Sequence, residues 1–135
     1  MVFNDIMTDE DAARLQLYLR DIKKRLSKIE AIMEAESIQE DGLTNLIAEA
    51  VADIKNLLQE ENLPERINAP EIIHLFSRLS ENLEKIAQEI IDKSLNKLNH
   101  DMGYIKHSWV FIFKFIDHRR PQQYRANPSG IKIVK

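Results

Sequence analysis

The sequence predicts an all-α protein. Three observations carry that expectation. Apolar residues return at alternating steps of three and four over long stretches. The faces opposite them are charged. Breakers are scarce, with three glycines and four prolines in 135 residues. The expected architecture is a bundle of three long amphipathic helices, then a short aromatic-rich C-terminal helix and an extended basic tail. Residues 1–120 are expected to form the helical bundle domain and 121–135 the tail.

The first helix is announced by Thr8 with Asp11 three residues later, a start resembling a capping box, and by Asp9 and Glu10, which suit the positive end of the helix dipole. Ala12, Leu15, Leu19, Ile22, Leu26, Ile29 and Met33 then form a heptad seam, the pattern of a coiled coil or a bundle helix. Arg20, Lys23, Lys24 and Lys28 occupy the solvated face. A break at 37–42 separates it from a second helix, about Asp41 to Glu61, whose seam runs from Leu43 through Ile47, Ala50 and Ile54 to Leu57 and Leu58.

A short connection containing Pro64 leads to a third helix. Its expected start is Asn68 as N-cap, Pro70 in the first turn and Glu71 three residues past the cap. Its seam of Ile72, Phe76, Leu79, Leu83, Ile86 and Ile90 continues through Leu95 and Leu98, so the helix is expected to reach about Asn99. Asn99 to Gly103 reads as a joint. Residues 104–118 admit two readings. As a helix, Ile105, Trp109, Ile112, Phe113 and Ile116 share a face. As a strand, Ile105, His107, Trp109 and the phenylalanines alternate, and their propensity favours it. A strand needs a partner, and the only other candidate is 131–134, so the helix is the favoured reading, ending before Pro121.

Charge divides the chain. Residues 104–135 hold seven basic residues against one acid, while 1–103 hold 12 against 21. The same C-terminal part holds six of the nine aromatics. Such asymmetry is a statement about partners rather than fold. The absence of cysteine excludes disulfides, thiolate metal sites and cysteine nucleophiles. The acidic start lacks a signal-peptide core, and the longest nearly apolar run, 109–116, is far short of the ~20 residues of a membrane span. The expected location is the cytoplasm.

Candidate chemistry is sparse. Glu71 and His74 form one Glu-x-x-His, where a carboxylate-bridged di-iron site needs two copies. His100, His107 and His118 lack the i, i+4 spacing of a shared ion. Three glycines cannot build a phosphate loop, and no nucleophile elbow is present. No catalytic residue, cofactor or metal is therefore expected. The remaining signal is Lys106, Trp109, Lys114, Arg119, Arg120 and Arg125, basic groups around an aromatic cluster. They point to a non-enzymatic helical adaptor or assembly protein that docks on a protein partner or on itself as a homo-oligomer. The alternative is a nucleic-acid-associated accessory subunit, with cations on phosphates and rings stacked on bases.

Overall fold

Residues 9–119 are described by a computed structural model, and they are helical nearly throughout. Helix α1 spans Asp9–Ala35, α2 Asp41–Gln59, the single turn α3 Leu63–Arg66, α4 Pro70–Asp92 and α5 Asn99–Arg119; a 3₁₀ turn, Asn96–Leu98, precedes α5. No strand occurs among the described residues. Thr8 and the expected 120/121 domain boundary lie outside them.

The heptad positions are the core. Leu19, Ile22, Leu26 and Ile29 of α1, with Leu43, Ile47, Ile54 and Leu57 of α2, have no exposed surface. Ile72, Leu79 and Ile86 of α4 and Ile105 and Ile112 of α5 complete the same apolar cluster. Each such side chain contributes about 1.5–3 kcal/mol by leaving water.

Cross-helix pairs fix the directions. Asp53 pairs with Arg78 and Glu49 with Asn82, so α4 runs antiparallel to α2. Arg25 meets Asp101, Asp21 meets Ser108 and Tyr18 meets Phe111, so α5 runs antiparallel to α1. The 36–40 and 93–98 connections lie at one end, joined by Lys97 to Glu36 at 2.9 Å and Lys93 to Glu40 at 3.3 Å. The order is up, down, up, down, with α1 between α2 and α5.

The helix ends differ from the expected ones for identifiable reasons. α4 begins after Ala69, not Asn68, and has no side-chain cap; Glu71 instead accepts an ion pair from Arg66, which also binds Glu60. α4 stops at Asp92 rather than near Asn99 because Ser94 takes a left-handed conformation, φ 55°. The Leu95 N–H then donates to Ile90 O at 2.9 Å and the Ser94 N–H to Ile91 O at 3.1 Å. That is a Schellman stop with serine in place of glycine. α1 ends the same way: Ser37 has φ 56°, Ile38 N–H donates to Met33 O, and Ser37 N–H to Glu34 O. Asn99–Gly103 is consequently not a joint but the first turn of α5, and at 21 residues α5 is not short.

Two of the three closed seams carry a buried carboxylate held by a partly exposed arginine. On the α2–α4 seam Asp53, 2% exposed, accepts from Arg78 Nε at 3.0 Å and Nη2 at 2.5 Å. That hydrogen bonding, followed by charge attraction, raises the Arg78 guanidinium above its usual value. While Asp53 is ionised, the contribution of the Arg78 cation is therefore present below the guanidinium range and is lost as pH rises through that range. On the α1–α5 seam the buried Asp101 accepts from Arg25 Nη1 at 3.1 Å. The Arg25 guanidinium lies 4.1 Å from the Tyr104 ring centre, and Ser108 Oγ donates to Asp21 at 3.1 Å.

Candidate docking groove between α4 and α5

The α4–α5 seam is the open one. These two helices meet over a shorter stretch than α1 with α5 or α2 with α4. No hydrogen bond or ion pair crosses between them among the described residues. A groove of about 290 Å³ runs along it. Its floor is Leu83 of α4 with Met102, Ile105 and Trp109 of α5; Val110 and Phe113 stand at its mouth. Lys106 and Lys114 rise on the α5 wall, Ser80 and Glu84 on the α4 wall.

Helical spacing explains why one helix can serve both the core and the groove. Ile105, Ile112 and Ile116 point inward and are at most 3% exposed. Lys106, Val110 and Lys114 recur every four residues on a second stripe, about 100–180° round from Ile105. Val110 remains 49% exposed, an apolar side chain without apolar cover. Trp109 sits between the two sets, half-buried, its ring 6.3 Å from that of Phe76.

The structure therefore gathers Lys106, Trp109 and Lys114 at one place, three of the six residues singled out in the sequence. The Arg119 side chain and all of Arg120 and Arg125 lie outside the described residues. Leu83, Glu84, Val110 and Phe113 were missed. For the α5 pair a signal exists: a second apolar stripe displaced from the buried one. The α4 pair has none, because a core residue and its solvated neighbour look alike until α5 fails to cover them.

The remaining candidates are placed elsewhere. His74 is exposed, and Glu71 is engaged by Arg66. His100 packs edge-on to Tyr104 at 5.1 Å and His107 to Phe111 at 5.0 Å. Among the described residues no three His, Asp or Glu side chains converge as metal ligands. No described helix is long and apolar enough to cross a membrane. A larger depression, about 470 Å³, lies beside the α1–α2 junction, but Ser27, Glu30, Glu34 and Thr44 make it polar and it is broadly open. Comparison with protein-family models, with curated proteins and with solved structures gives no match.

Proposed function

We propose that the chain is a non-enzymatic helical adaptor or assembly protein, a four-helix bundle that binds another protein helix along the α4–α5 groove. The observation that carries this is the groove itself: an apolar floor around Trp109 with charges only on its rims. Such a trough accepts the apolar ridge of an amphipathic helix, with anchors at i, i+3, i+4 and i+7. Trp109 supplies the large ring that tends to dominate binding energy, and Lys106 and Lys114 would steer an acidic flank. A reducing location such as the cytoplasm fits a chain without cysteine.

Because the chain has no cysteine, one can be introduced as a single attachment point. A photo-crosslinker on Val110→Cys should give a protein adduct, whereas one on Lys55→Cys, an exposed position on α2, should not. An adduct of two identical chains would identify self-assembly, and any other mass a different partner. Equal adducts from both positions, or none from position 110, would overturn the reading.

The nucleic-acid alternative is less well supported. Tyr104 and Phe111 are 45% and 44% exposed, yet each has a ring face occupied, Tyr104 by Arg25 and Phe111 by the parallel ring of Tyr18 at 5.5 Å. Base stacking would have to use the other faces. Binding of a mixed-sequence oligonucleotide that weakens on Lys106→Ala with Lys114→Ala, and whose salt slope falls by about two, would favour it over docking of protein.

A further inference from the structure

The groove has a charge pattern as well as an apolar floor. Its α5 wall is basic, through Lys106 and Lys114, and its α4 wall is acidic, through Glu84. All three are exposed. Among the described residues none of them lies within ion-pair distance of an opposite charge. A face with a basic wall and an acidic wall is complementary to itself.

Resting on the docking reading above, we propose that the occupant of the groove is a second copy of this chain, packed about a two-fold axis that runs along the groove. That axis lays α5 of each copy on α4 of the other, as an isologous interface requires. Within one chain α4 and α5 are antiparallel, and the Phe76 and Trp109 rings lie 6.3 Å apart, so these two residues are taken as level. Counting rise from that level, Lys106 of one copy stands about 7.5 Å along the axis from Glu84 of the other. Side chains lean toward the N-terminus of their own helix, so on antiparallel helices these two lean toward each other. Lysine and glutamate together span that gap. Val110 and Phe113 of each copy enter the groove of the other beside Trp109.

The competing two-fold arrangement, α5 antiparallel on α5 and centred on Val110, is opposed by charge. Lys106 and Lys114 lie four residues either side of Val110 and would face each other across the interface. Area is consistent with the favoured arrangement. Two helices of this length side by side present a face on the order of 600 Å², close to the roughly 800 Å² per partner of a standard interface.

Light scattering at rising protein concentration should read two chains for the intact protein. Val110→Arg should read one chain while circular dichroism stays unchanged. Lys106→Glu and Glu84→Lys should each weaken association by about tenfold or more. Combining them in one chain should restore it, and so should mixing the two single variants, since both inter-copy pairs are then opposite in sign. A monomer at every concentration, a dimer indifferent to Val110→Arg, or a double variant that is not rescued would overturn the inference. A monomer whose Trp109 emission shifts on deletion of residues 1–8 would assign the groove to the chain's own N-terminal segment instead. A monomer that still yields an adduct from position 110 with another protein would overturn the second copy and leave the adaptor reading standing.

Discussion

The two flanks of α5 have opposite characters. The flank toward α1 is closed by specific polar pairs: Asp101 with Arg25, Ser108 with Asp21, and Tyr104 beneath the Arg25 guanidinium. The flank toward α4 has apolar side chains, two unpaired lysines and no polar link to its neighbour among the described residues. One helix thus anchors itself on one side and leaves the other available. Buried polar pairs specify register, because a shifted helix would strand a charge. Apolar contact alone tolerates a different neighbour.

The largest effect should come from breaking the closed flank. Arg25→Ala leaves the Asp101 carboxylate, 2% exposed, without its cation. Removing one partner of a buried pair should lower unfolding stability by about 3 kcal/mol in urea. Loss of less than 1 kcal/mol would mean that the pair does not organise this seam. On the open flank, Trp109→Ala removes a half-buried ring packed on Phe76. A fully buried aromatic costs 3–5 kcal/mol to truncate, so about 2 kcal/mol is expected here, read by circular dichroism. If Trp109→Ala proved the more damaging of the two, the groove would be a structural seam rather than an available one.

What the sequence made legible follows from this division. The seams of α1, α2 and α4 are periodic, and their predicted apolar positions from Leu15 to Ile90 are buried in the structure except Leu58, which is partly exposed. Periodicity reports the buried face of a helix because burial and repeat share one cause. It does not report where a helix stops when the stop is a backbone conformation. Leu95 and Leu98 kept the α4 rhythm, and Leu98 is indeed buried, yet the helix ends at Asp92. Ser94 in the left-handed region carried no signal, since serine there is uncommon. The same holds for the groove: Lys106, Trp109 and Lys114 were visible as a basic aromatic cluster, but its α4 wall depends on which neighbour α5 leaves uncovered.

The serine stops give a test of intermediate size. A left-handed conformation costs a side-chain-bearing residue about 1–2 kcal/mol that glycine avoids. Ser94→Gly should therefore raise unfolding stability by up to about 1 kcal/mol, part of the gain being offset by the freer unfolded chain. A loss would show that the Ser94 side chain does something in the α4–α5 connection beyond adopting its backbone angle.

The smallest effect probes the open flank where the sequence and the structure disagree most directly. Gly103 reads as part of a joint, yet it lies inside α5, one turn before Lys106 on the same stripe. A Cβ added there meets nothing within 4 Å. Glycine inside a helix is about 0.5–1 kcal/mol less favourable than alanine, so Gly103→Ala should stabilise the protein by that amount. Were 99–103 a joint that needs glycine's freedom, the same change would destabilise it, and the sign alone separates the two. Protein concentration sharpens the test. If a second copy packs against this stripe, the gain should be full in dilute solution. It should shrink as association brings another helix against the new methyl group. A gain independent of concentration would place Gly103 outside any contact between copies and confine the interface to the turns around Val110.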